Sequence, residues 1–131
     1  MIALDTNVLV RFLVEDDEVQ AAKATSLIEQ AIADDAALFV SDVVLCETVW
    51  VLTSRYGFSR VEVTAVLRRL LDADHLSFAA PSQHARALAA FPAGKGDFAD
   101  YVIREHGLAA GCTTVATFDQ ALLKEPGYRS P

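Results

Sequence analysis

"MIALDTNVLVRF", residues 1–12, passes from β-forming residues to a helical apolar pattern with a carboxylate at the junction. Ile2-Ala3-Leu4 opens a strand read over residues 2–5, and Val8, Leu9, Phe12 and Leu13 repeat at helical spacing. Asp5 therefore stands where a strand expected to be buried hands over to a helix. A helix cap explains one such acid. A functional reading needs further acids in equivalent places.

Outward from this stretch, short strands alternate with longer helices. Val19, Ala22, Leu27, Ile28, Ala31 and Ile32 predict a helix over Glu18–Ala33, and the apolar run Ala37–Val40 predicts a strand covered on both faces. A helix follows from Asp42 and stops near Gly57. Ser59 and Glu62 form a capping box, with Phe58 and Val63 as a hydrophobic staple, ahead of a core stripe of Val63, Val66, Leu67, Leu70 and Leu71. Leu76–Ala79 predicts an edge strand. Residues 82–91 predict a helix ending before Pro92, Asp97–His106 another closed by Gly107, and Cys112–Thr117 a last strand before a short helical turn. This alternation predicts a three-layer α/β/α sandwich around a central, mostly parallel sheet of four to five strands. The 131 residues fit one domain, 1–131.

The hydrophobic fraction is 53%, yet no apolar run reaches the roughly 18–20 residues of a membrane span. The start lacks a basic segment followed by a long apolar one, so a cytoplasmic location is expected. The apolar surplus suggests a self-association or partner surface. Cys46 and Cys112 lie in apolar runs and read as small core residues. His75, His84 and His106 read as ordinary surface histidines. The net charge of −7 is the wrong sign for a nucleic-acid binder held by a basic patch, so a phosphate substrate would have to be received by local cations. Arg11, Arg55, Arg60, Arg68, Arg69, Lys95 and Arg104 are available for that.

The acids fall into a pattern. Ligands of open parallel sheets bind beyond the carboxyl ends of the strands, and both Asp5 and Asp119, in "TFD", follow predicted strands. Glu47, in "VVLCETVWVL", has Val43, Val44, Trp50 and Val51 as its helical neighbours, which places it on a stripe expected to face the core. Asp97 and Asp100, in "GDFADYV", share the first turn of a helix, where the macrodipole favours acids. Carboxylates gathered in one place repel one another and hold protons more tightly. An oxygen-only set relieves this with Mg²⁺ or Mn²⁺. One or two such ions, about 4 Å apart when paired, activate water against a phosphodiester.

Taken together, "ALDTNVLVR", "SDVVLCETVWVL", "DFADYVI" and "GCTTVATFD" resemble, in order and over essentially the whole chain, the motifs of PIN-domain ribonucleases. The resemblance is greatest to the toxins of bacterial VapBC toxin–antitoxin pairs. It implies a Mg²⁺- or Mn²⁺-dependent endoribonuclease with Asp5, Glu47, Asp100 and Asp119 as metal-binding catalytic residues. Thr6, Asn7 and Thr117 would support them, and Asp97 would either share the metal or serve as a cap. It further implies cleavage of a structured tRNA or rRNA site to arrest growth, homodimerisation, and inhibition by a VapB-like antitoxin. Other readings are a housekeeping PIN nuclease, a catalytically silent PIN binding module, and a haloacid-dehalogenase-like phosphotransferase with Asp5 as nucleophile. The last usually carries a second Asp where this chain has Asn7.

Overall fold

The computed structural model describes residues 1–131. They form two compact units, Met1–Ala79 and Ala80–Pro131. No helix is long and apolar enough to cross a membrane.

The first unit contains β1 (Ile2–Ala3), α1 (Thr6–Val14), α2 (Glu18–Ala33), β2 (Leu38–Val40), α3 (Asp42–Ser54), α4 (Arg60–Asp72) and β3 (Leu76–Phe78). Its sheet has the order β1-β2-β3 with both pairs parallel, and each crossover contains two helices. β2 is central. Leu38 and Val40 are buried, and Leu9, Leu45, Leu52, Val63 and Leu67 join them in the core. Helix α1 packs against α2 and α3. The start of α4 is fixed by a reciprocal capping box. The Glu62 N–H donates to Ser59 Oγ at 3.1 Å, and the Ser59 N–H donates to Glu62 Oε1 at 3.0 Å.

Two expectations change here. β1 is short, and Ile2 is 55% exposed, so burial of this segment begins only at Leu4. Helix α3 buries Leu45, Thr48, Val49 and Leu52, leaving Val43, Glu47 and Trp50 exposed. The stripe around Glu47 therefore faces outward. Helix α3 is apolar on nearly every side, so spacing alone does not select the buried one.

The second unit contains α5 (Pro81–Ala90), α6 (Phe98–Ala109), β4 (Val115–Ala116), a 3₁₀ turn (Leu122–Lys124) and β5 (Tyr128–Arg129). Helices α5 and α6 pack together, and Phe91 meets Phe98 edge-on with ring centroids 6.0 Å apart. Helix α6 runs through Gly107 rather than ending there. β4 pairs in parallel with β5, a strand that lies beyond the last one predicted from the sequence. The α/β class with parallel strands is as expected, but the five strands form ladders of three and two rather than one central sheet.

His84 is fully buried, and its ring lies 5.9 Å from that of the half-buried His106. The expectation of surface histidines is corrected at both positions. His84 belongs to the inward face of α5 with Ala87 and Leu88. Cys112 is exposed rather than in the core. Cys46 is half-buried, and burial, with a smaller contribution from the Asp42 charge, pushes its thiol up to about 11.

Candidate active site

Asp5 ends the β1 segment as the N-cap of α1, with Oδ1 accepting from the Thr6 N–H at 2.8 Å. The cap reading is therefore correct, and the same carboxylate lies at the carboxyl end of a parallel strand. Glu47 comes from α3, directly after β2. Thr6, itself buried, donates its hydroxyl to Glu47 Oε2 at 3.1 Å. Asp5, Thr6, Asn7 and Glu47 line one cavity of about 380 Å³. Each carboxylate uses one oxygen in these bonds and has a second to offer.

One wall of this cavity is a network the sequence did not reveal. Arg11 Nη1 donates to Asp16 at 3.1 Å and to the Tyr56 hydroxyl at 3.2 Å, while that hydroxyl donates to Asp16 at 2.6 Å. Arg11 Nε also reaches Gln20 at 2.7 Å. The Tyr56 hydrogen bond, followed by the Arg11 charge, holds the Asp16 carboxyl below its ordinary value. Tyr56 is 40 residues from Asp16 in sequence, and no local spacing announces the network.

The second unit holds the remaining acids. Asp97 is the N-cap of α6, and its N–H donates to Asp100 Oδ2 at 2.8 Å. Asp100 is half-buried, and its proton affinity is raised above the ordinary value. Burial is the main cause, followed by the nearby charges of Asp97, Asp119 and Glu125, against the lowering effect of the Asp97 N–H. Asp119 is oriented locally. Its N–H donates to Thr117 Oγ1 at 3.0 Å, and its Oδ1 accepts from the N–H groups of Ala121 and Leu122 at 2.9 and 3.2 Å. Thr117 thus fixes the backbone at Asp119, whereas the Thr6 hydroxyl bonds the Glu47 carboxylate itself. Glu125, unrecognised in the sequence, adds a further acid and accepts from the Tyr101 hydroxyl at 2.9 Å. The Tyr128 hydroxyl donates to the Asp100 carbonyl at 2.9 Å, tying β5 to α6.

Each unit thus has one aspartate just past a strand, Asp5 after β1 and Asp119 after β4, with a threonine beside it. The PIN domain family matches residues 2–126. The chain belongs to the PIN-domain family. No curated protein matches it. PIN domains have a nuclease fold and typically depend on divalent metal ions. The donors in this PIN domain fit such ions. Asp5 and Glu47 offer carboxylate oxygens to one cavity, and Asp100 sits among acids whose mutual repulsion a cation would relieve.

Proposed function

We propose that this PIN domain is a Mg²⁺- or Mn²⁺-dependent endoribonuclease, the toxin of a type II toxin–antitoxin pair, acting on structured RNA such as tRNA or rRNA in the cytoplasm. Asp5, Glu47, Asp100 and Asp119 are its catalytic, metal-binding residues, within one domain spanning 1–131. The observation that carries the reading is the placement of Asp5 and Glu47 in one cavity, joined through the buried hydroxyl of Thr6. The bound ions would supply activated water and neutralise charge developing on the phosphodiester. Asp5, at the carboxyl end of β1, and Glu47, from α3 after β2, present oxygens to this cavity. Thr6 holds Glu47 in its rotamer, and Thr117 and the 3₁₀ turn fix Asp119. Asp97 caps α6 and fixes one oxygen of Asp100. The protein acts as a homodimer, and a VapB-like antitoxin inhibits it by placing an Arg or Lys among the carboxylates, in place of the cation.

Incubation of purified protein with total RNA and Mg²⁺ or Mn²⁺, with sequencing of the new ends, tests the chemistry. Cleavage is expected with metal and none with a chelator, and Asp5→Asn and Asp100→Asn should abolish it. Cleavage unaffected by both substitutions would reject the mechanism. Expression alone should arrest growth, and co-expression of the antitoxin should restore it. Harmless expression of an active enzyme would instead assign a housekeeping nuclease.

A further inference from the structure

The cavity containing Asp5 and Glu47 is not purely acidic. Trp50 lies three residues beyond Glu47 on the exposed side of α3, lines the same cavity, and is 62% exposed. It is the only tryptophan in the chain. Arg55, the exposed C-cap residue of that helix, also lines the cavity. Tyr56 and Arg11, which also line it, are held by the hydrogen bonds through Asp16. An indole and a guanidinium beside two carboxylates suit a nucleotide better than an apolar ligand. An indole face stacks on a nucleobase, and a guanidinium pairs with a phosphate.

We propose that Trp50 and Arg55 form a nucleotide subsite that selects an unpaired RNA base next to the reacting phosphodiester. The inference rests on the nuclease reading and adds a substrate class to it. A base inside a duplex has both faces covered by its neighbours, whereas a base in a loop, bulge or single strand can be splayed onto an aromatic ring. Trp50 receives that base. Arg55, at the end of the same helix, takes a flanking phosphate, and the pair sets the register in which the strand enters the cavity. Arg11 is already committed to Asp16, Tyr56 and Gln20, so it serves as a fixed wall.

The single tryptophan makes the proposal directly measurable. Intrinsic fluorescence is titrated with a short single-stranded RNA oligonucleotide, and with the same oligonucleotide annealed to its complement. The buffer is low in salt, with calcium in place of magnesium. Single-stranded RNA should quench Trp50, and the duplex should do so much more weakly. Binding followed by a label on the RNA should weaken about tenfold in Trp50→Ala and stay within about threefold of wild type in Trp50→Phe, which keeps an aromatic face. Arg55→Ala should weaken binding and flatten its dependence on log salt by about one contact.

Equal quenching by duplex and single strand would overturn the proposal. So would unchanged binding by Trp50→Ala, or an emission shift on dilution showing that a second copy covers the indole. Cleavage is scored separately. Quenching without metal-dependent cleavage would refute the nuclease reading and leave the subsite standing. Cleavage without quenching would refute the subsite alone.

Discussion

The Thr6 hydroxyl donates to Glu47 Oε2 at 3.1 Å, linking the first turn of α1 to the middle of α3. Because the Thr6 N–H also holds Asp5 Oδ1 at 2.8 Å, one residue positions two acids from segments far apart in the chain. Thr6→Ala keeps that backbone N–H but loses the hydroxyl, so it should release Glu47 alone, reducing kcat/KM about tenfold and costing about 1 kcal/mol of stability through the lost hydrogen bond. Thr6→Ser keeps the hydroxyl and should recover most of the activity. Kinetics beside chemical denaturation would separate the two effects. Equal loss in Ala and Ser variants would show that the methyl group, not the hydroxyl, matters.

Asp97 should prove replaceable where Asp100 is not. Asp97→Ser preserves an N-cap and should keep stability and most cleavage, whereas Asp97→Ala should lose about 1 kcal/mol. Complete loss of cleavage in Asp97→Ser, with unchanged thermal unfolding, would make Asp97 a metal ligand.

The raised proton affinity of Asp100 predicts a stability change with pH. A carboxyl whose folded pKa exceeds its unfolded value binds the proton more readily in the native state. Stability therefore falls as pH rises from the ordinary carboxylate value of 3.8 through the raised folded value, and the penalty is complete above it. Asp100→Asn should raise Tm in metal-free buffer at neutral pH, and the difference should disappear in acid. Mn²⁺ should raise the Tm of the wild type more than that of the variant. A variant no more stable at neutral pH than in acid, relative to wild type, would contradict this electrostatic picture.

Tyr101 is fully buried, and its hydroxyl accepts from the Gly96 N–H at 3.0 Å while donating to Glu125 at 2.9 Å. Tyr101→Phe should cost about 1–2 kcal/mol and loosen the loop that delivers Asp97 and Asp100. Denaturation midpoints would show it. Gly96→Ala should be worse, because an added Cβ would come within 2.7 Å of the Leu122 side chain and 3.1 Å of Asp100 Oδ2.

Much of this organisation was legible beforehand where local rules act. The bounds of α2, the Ser59–Glu62 box that starts α4 and the Asp97 cap all follow from periodicity and capping chemistry. Glu47 shows where that reading fails. On a helix apolar all round, neighbours at three and four residues do not reveal which side meets the core, and Glu47 lies outward with Val43 and Trp50. His84 shows the complementary case, since it has the polar Gln83 and Arg86 close by in sequence yet shares the buried face of α5 with Ala87 and Leu88. β5 has only two residues and no pattern of its own. It exists because β4 offers a ladder, with Val115 donating to the Gly127 carbonyl and Thr117 to that of Arg129. The Arg11–Asp16–Tyr56 network joins segments that only folding assembles.

The parallel ladder of the first unit sets an order of events during synthesis. Ile2 pairs with Leu38, and Leu38 with Leu76, so no strand finds its partner until two intervening helices have emerged. Helices close within microseconds, while such long-range pairing is slow. A nascent chain will therefore carry formed helices well before β1 and β2 dock and bring Asp5 and Glu47 together. If the proposed activity holds, a ribosome making this protein is shielded from it until Asp119, the last of the four proposed carboxylates, has been made.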